Sequence, residues 1–419
     1  MGRPLIAQVS VAIPTTTGNQ DITIAGFGTP KAAIVILSGA VAADTARANG
    51  LLSIGYADSA GTAYVAGNCA QDAQATAATG RTNYNGSLVS FPNFSGSART
   101  NEVATFVSWI TDGIRINWAT APAAAYLMTV IFFGGDGTIS SKVGSVDLGT
   151  GTAAINTTLG FTPSLIFPLG IGVAADLVTG NLVVSMGAWT PSSGQGSITA
   201  VNIDAAATKD LQGYASSSAA FAQVFSAGLQ YVVTLGTYAS GFSATPSANS
   251  SSDVMGYLAL EFDAGTGVNV SVETLPTATG SFSKTGLSFR PGFLLEASAK
   301  ISAAIGTVDN ADSEGFTVTG ICRSRTGGDS VLAAALGGDD GAATSDESSW
   351  YGYDANIEYT GVGGGSRATY ASFTSFNADG WTKNLTATDA VAYKYLSVAI
   401  EANKPIPVFM NHRMQQGMS

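Results

Sequence analysis

A tight turn that ends in proline and leads into an apolar run occurs three times in this chain, and no other feature constrains its fold as much. The copies are Gly26-Phe27-Gly28-Thr29-Pro30 before Lys31–Leu37, Gly160-Phe161-Thr162-Pro163 before Ser164–Phe167, and Ser288-Phe289-Arg290-Pro291 before Gly292–Leu295. The prolines lie 133 and 128 residues apart. Spacings of that size are too long for solenoid repeats of about 20–50 residues and long enough for each unit to bury a core of its own. A run such as Ala32–Leu37 is apolar at every position, which predicts a strand covered on both faces. Proline stands just before it, where a missing N–H does least harm.

Other landmarks recur in the same order. The segment Leu52-Ser53-Ile54-Gly55 is echoed by Val184-Ser185-Met186-Gly187, and Ala335-Leu336-Gly337 stands for the same strand in the third unit, after an insertion at about 300–330. A hairpin signal follows in each unit: Asp112-Gly113, Ser240-Gly241 and Asp379-Gly380. Asp-Gly favours a two-residue turn because both turn positions take positive φ. Tyr126, Tyr257 and Tyr395 mark the closing strands. The first strand, Ala7–Ile13, alternates apolar and polar, as a half-buried strand does. Helical periodicity is confined to short Ala-rich pieces near Ala70–Thr79 and Ser216–Phe225. The expected fold is all-β: three tandem antiparallel β-sandwich domains at residues 1–144, 145–266 and 267–402, with an extended C-terminal tail at 403–419.

Composition narrows the chemistry. Charged residues make up 11% of the chain, against about 25% in ordinary soluble proteins. The net charge of −11 supplies no basic patch to neutralise phosphates, so nucleic acid is not an expected partner. No apolar stretch reaches the roughly 18 residues of a membrane span, so membrane insertion is not expected. The start of the chain lacks a signal-peptide core. Cys69 and Cys322 fall in different units and read as independent thiols. The one histidine, His412, lies in the tail, so no Ser-His-Asp arrangement is expected and no catalytic residue or cofactor is assigned.

Four stretches offer chemistry. Asn310, Asp312 and Glu314 alternate before a glycine, as at the start of a calcium loop, but Ile321 stands where the bidentate glutamate would be. Asp339, Asp340, Asp346 and Glu347 form a second acidic loop open to the same cation reading. Trp350, Tyr351, Tyr353 and Asp354 place aromatic faces beside a carboxylate, which suits a sugar, although the aromatics suit packing between sheets better. Ile406, Val408, Phe409 and Met410, in a proline-punctuated tail, either pack back on the chain or dock on another subunit.

The motif set Gly160–Phe167, Leu52–Ala57, Asp112–Pro122 and the Tyr-Leu pair before each closing strand resembles a tandem β-sandwich module of tailed-bacteriophage virion structural proteins, found in tail fibres and other exposed appendages. The likeness is clearest over 18–135. It implies a non-enzymatic virion protein, exposed on the tail or head, that contributes to host attachment. It also implies other virion proteins as partners, a homo-oligomer with a trimer favoured, and a host surface glycan as a ligand. Loops 59–100 and 337–366 are the expected recognition elements. A capsid decoration protein is the alternative, followed by a surface carbohydrate-binding protein and a polysaccharide depolymerase.

Overall fold

The repeated apolar runs sit at the centres of three seven-stranded antiparallel sheets, each facing a four-stranded sheet. The computed structural model describes the chain except for residues 1–2, 93, 95–101, 136–138, 173–177, 207–209, 226–227, 248–252, 311–314, 324–328, 339–345, 354–355, 359–368 and 404–419. The described residues form strands and connections, with no helix among them. The all-β, sandwich-like architecture is as the sequence predicts.

In the first unit the large sheet runs Leu5–Ala12, Leu127–Gly134, Ala32–Ser38, Gly50–Ala57, Ala63–Ala70, Thr79–Asn85. The small sheet runs Gly18–Thr23, Gly113–Thr120, Val103–Ile110, Val89–Ser90. The other two units repeat both orders. Their large sheets open with Ser140–Asp147 and Val268–Thr274 and place Leu165–Gly170 and Phe293–Ile301 at the repeated apolar runs.

The seventh strand of each large sheet comes from another unit. Val178–Thr179 of the second unit pairs with Thr79–Asn85 of the first. Val308–Asp309 of the third pairs with Leu211–Ser216 of the second. Arg47–Ala48 of the first pairs with Ser348–Tyr353 of the third. The exchange therefore closes into a cycle within one chain. The two ends of the described chain also meet: Asn403 donates its N–H to the Pro4 carbonyl, and Arg3 pairs with Glu401 at 3.0 Å.

Closure explains why the repeated runs are apolar at every position. Along Ala32–Ser38 side chains alternate between faces. Ala32, Ile34 and Ile36 enter one hydrophobic cluster, which also takes Leu165, Phe167 and Leu169 from the second unit and Phe293, Leu295 and Ala297 from the third. Ala33, Val35 and Leu37 face the small sheet of their own unit, with Ile114, Ile116 and Trp118. The second and third units have corresponding sandwich cores. The three large sheets thus share one core and each buries a second.

The two main sequence landmarks touch. The Asp112 carboxylate accepts the N–H groups of Gly26 at 2.9 Å and Gly28 at 2.8 Å, so the hairpin tip braces the turn before the apolar run. Asp379 accepts the Gly286 N–H in the third unit at 3.1 Å. Of the Asp112-Gly113 pair only Asp112 has positive φ, at 68°, and Gly113 already pairs in the strand. Its glycine is required for space instead. A Cβ there would lie 1.9 Å from the Ile22 carbonyl oxygen, and at Gly241 and Gly380 it would lie 1.9 Å and 1.8 Å from those of Thr157 and Lys284.

Several expectations need correction. The Ala-rich pieces are not helical: Ala63–Ala70 and Thr79–Asn85 are strands joined by a loop, and Leu211–Ser216 and Phe221–Phe225 are strands. Sheet pairing and burial on both faces override local alanine preference. Ser140–Asp147 pairs with Val254–Glu261 and belongs to the second unit, so a boundary at 144/145 cuts a strand. The stretch 300–330 is not an insertion. It holds Val308–Asp309 and Phe316–Cys322, and the latter, paired with Phe293–Ile301, is the counterpart of Gly50–Ala57. Ser330–Gly337 is the next strand along. The closing landmarks in register are Tyr126, Asp253 and Tyr393, whose carbonyls accept the N–H groups of Ile13, Leu148 and Leu275.

Gly113→Ala, Gly241→Ala and Gly380→Ala are each expected to destabilise the chain by about 1–3 kcal/mol through overpacking against a carbonyl that cannot swing away. Asp112→Ala is expected to cost about 1.5–3 kcal/mol through two lost charge-assisted bonds. Denaturant unfolding midpoints measure both.

Candidate functional site

The joints between units hold several of the polar groups buried among the described residues. Short polar segments cross from one unit into its neighbour there, and their backbone groups need partners once water is excluded. At two joints the solution is the same relay. In the first unit Asn49, held at a φ of 69°, offers Oδ1 to the N–H of Asp72 at 2.9 Å. Asp72 Oδ1 accepts the N–H of Glu347 in the third unit at 3.1 Å. In the second unit Asn181, at a φ of 59°, accepts the N–H of Asp204 at 2.6 Å, and Asp204 Oδ1 accepts the N–H of Thr79 in the first unit at 2.9 Å. Asparagine tolerates the left-handed region better than other side-chain-bearing residues, which suits it to this corner.

The first relay is where all three units meet. Glu347 is 3% exposed, and its Oε1 accepts from the Asn202 side-chain amide of the second unit at 2.7 Å. Gly338 leaves room for this carboxylate, since a Cβ there would lie 2.5 Å from Glu347 Oε2. Glu347 is therefore an internal link between units, and the cation reading of its loop loses that ligand. Nearby Glu102 is buried, and burial pushes its carboxyl up to about 7 despite the Arg47 charge.

The predicted aromatic patch splits. Trp350 is 1% exposed and packs on Ala333 and Ala335. Tyr351 is fully buried in the shared core, its hydroxyl 2.6 Å from Thr129 Oγ1 of the first unit. Neither ring can reach a sugar in solvent: a strand at a joint has both faces covered, so the rings connect units. Tyr353 ends the same strand. Asp354 lies outside the described residues. Of the calcium-loop candidates, Asn310 is an exposed residue just after the borrowed strand Val308–Asp309, whereas Asp312 and Glu314 lie outside the described residues. So do the tail residues Ile406, Val408, Phe409 and Met410, and His412. Among the described residues no three His, Cys, Asp or Glu side chains converge as metal ligands would.

Most of the described part of the expected recognition loop 59–100 is interior. Ala63–Ala70 is buried throughout and Thr79–Asn85 over most of its length. Small polar residues fit between covered sheets when their groups are bonded; Asn68 Oδ1, for example, accepts the Val183 N–H at 3.2 Å. The relay residues carried a sequence signal that was missed, since Asn49 and Asn181 each precede the strand repeated in the first two units. Cys69 and Cys322 are buried and form no disulfide, and burial pushes both thiols far up, which disfavours the reactive thiolate.

One open cleft of about 260 Å³ lies at the joint between the second and third units, lined by Thr162, Pro163, Ser164, Thr190, Pro191, Ser192, Thr266 and Val268. Two of its hydroxyls are already engaged: Ser164 Oγ accepts the Phe262 N–H within the second unit at 3.1 Å, and Ser192 Oγ donates across the joint to the Val268 carbonyl at 3.4 Å. Compared with protein-family models, curated proteins and solved structures, the chain matches none.

Asp72→Ala and Asp204→Ala are each expected to lower stability by about 1.5–3 kcal/mol, because a buried N–H loses a charged acceptor. Glu102 sets a pH trend. Its folded value, near 7, lies above its ordinary 4.5, so the folded state holds the proton that the unfolded state releases. Stability contributed in this way is intact below about pH 4.5 and falls as pH rises toward 7. Glu102→Gln should therefore raise the unfolding free energy above pH 7, by up to ~3 kcal/mol, and leave it unchanged near pH 4. Urea titrations at the two pH values check this.

Proposed function

We propose that this chain is a non-enzymatic structural protein of a tailed-bacteriophage particle, a tail-fibre or surface-appendage component that contributes to host attachment. The observation that carries the reading is the closed cycle of borrowed strands around a shared core. Such a body is suited to hold a fixed shape and to present outward surfaces. Polar groups at an internal joint, among them Asp72, Asn202 and Glu347, link its units. The repeated motifs resemble virion modules of this kind.

Closure within the chain also bears on assembly. A homotrimer is the form the resemblance implies, but here three units complete one another without further copies. We take one chain to be the assembling unit, placed on a threefold axis of the appendage, with other virion proteins as its neighbours. The hydroxyl-lined cleft at Thr162 and Thr266 is the described surface we assign to contact with a host glycan.

Gold-labelled antibody against the purified chain is expected to mark the tail or its appendages on intact particles. Labelling confined to the head surface would move the chain to a capsid decoration role, and no labelling of particles would end the virion reading. Mass photometry is expected to show a particle of 42.3 kDa, the mass of one chain; a stable threefold multiple at nanomolar concentration would refute the single-chain proposal.

A further inference from the structure

The three sandwiches are built alike, and at matching inward positions the third carries charges where the first two carry none. Counting from each organising proline, Val35, Pro168 and Glu296 are equivalent; counting from each hairpin glycine, so are Ile116, Ala244 and Lys383. Strand register adds Val130, Tyr257 and Ser397 as the partners across from the first set. The first two units fill these positions with buried apolar groups, apart from the Tyr257 hydroxyl. In the third, Lys383 Nζ donates to Glu296 Oε1, with side chains 0% and 3% exposed. Ser397 Oγ lies 3.4 Å from the same oxygen, and the ammonium stands over the rings of Trp381 and Tyr395 at 5.6 Å and 5.1 Å.

A second pair repeats the arrangement nearer the rim. Lys284 Nζ donates to Glu273 Oε1, with side chains 30% and 22% exposed. Register aligns Glu273 with Val11 and Val146, and Lys284 with Ile22 and Thr157. Both carboxylates belong to the large sheet of the third unit and both ammonium groups to its small sheet. The two faces are thus complementary in charge, whereas the corresponding faces of the other units are uncharged at these positions.

Three similar hairpins in one chain create a problem of choice during folding. Gly113–Thr120, Gly241–Pro246 and Gly380–Ala387 begin alike, with glycine and a large apolar residue, and each must settle on its own large sheet. Burial alone discriminates poorly among apolar faces of similar size. Charge discriminates well, because a lone buried ion costs far more than a paired one, whereas a paired one often contributes little net stability over an apolar replacement. We infer that Glu296–Lys383, supported by Glu273–Lys284, is the specificity element that matches the third small sheet to the third large sheet and rejects the other two. On the wrong partner, Lys383 would face Val35 and Val130, and Glu296 would face Ile116.

The test separates fidelity from stability in the full chain. E296V/K383I/S397V installs the first unit's residues. Its native fraction should unfold at the same or a higher urea concentration than wild type. Recovery of native monomer after dilution from denaturant, read by size exclusion and near-UV dichroism, should fall at least threefold. Recovery equal to wild type, or a midpoint that falls together with recovery, would overturn the inference. The single variants E296V and K383I should lower both quantities. The reversal E296K/K383E should recover more native monomer than either single variant. It decides the matter if the apolar variant yields no native protein, since a reversal that refolds no better than the singles also overturns the inference.

Discussion

The exchanged edge strand is the constraint on which the rest of the structure depends. The sixth strand of a large sheet would otherwise leave a row of backbone groups open, an edge that invites pairing with other chains. Here Val178–Thr179, Val308–Asp309 and Arg47–Ala48 each cover such an edge with two residues. A linear array of three units could cover only two of these edges in this way. Covering all three requires the units to close on themselves, and closure brings the inner faces of the large sheets together in one core. The apolar runs, the buried polar strands and the meeting of the chain ends follow from that.

Interior joints then need polar groups that apolar packing cannot supply. Asn49 and Asn181 turn the chain in the left-handed region and accept the N–H groups of Asp72 and Asp204, whose carboxylates in turn accept an N–H from the neighbouring unit. A buried glutamate, Glu347, belongs to such a joint. Glu347 is held by Asn202, whereas Glu102 sits where burial disfavours its charge. The third unit departs further, with two lysine–glutamate pairs between its sheets at positions that carry no charge in its siblings. Repetition supplies the architecture, and the departures from it give each unit its identity.

Strand content was legible because the sequence states it locally. The runs at Ala32–Leu37 and Leu165–Phe167 are apolar at every position, and proline and glycine mark where they begin. The hairpins were legible for the same reason, although the glycine that marks them serves steric clearance and not the turn conformation. Local signals failed where burial came from elsewhere in the chain. Residues 63–70 and 79–85 are rich in small and polar side chains and read as a surface excursion; they are covered because neighbouring units pack on them. Trp350 and Tyr351 beside a carboxylate read first as packing between sheets, with a sugar platform as the alternative. Their burial resolves the choice, since Tyr351 reaches Thr129 across a joint.

By itself the sequence determined the strands, the threefold recurrence and the braced turns, because each rests on contacts within one unit or on backbone geometry at single residues. It also held the relay asparagines and the third unit's charges, although neither had an evident meaning in one dimension. Only the tertiary structure decided that the units close into a cycle, which edge strand each unit gives away, and which aromatics are internal. Those outcomes depend on pairing between segments more than 90 residues apart, such as Thr82 with Val178 and Ala48 with Ser348. No local periodicity encodes a partner at that distance; it emerges when the sheets satisfy their edges and bury their second faces together.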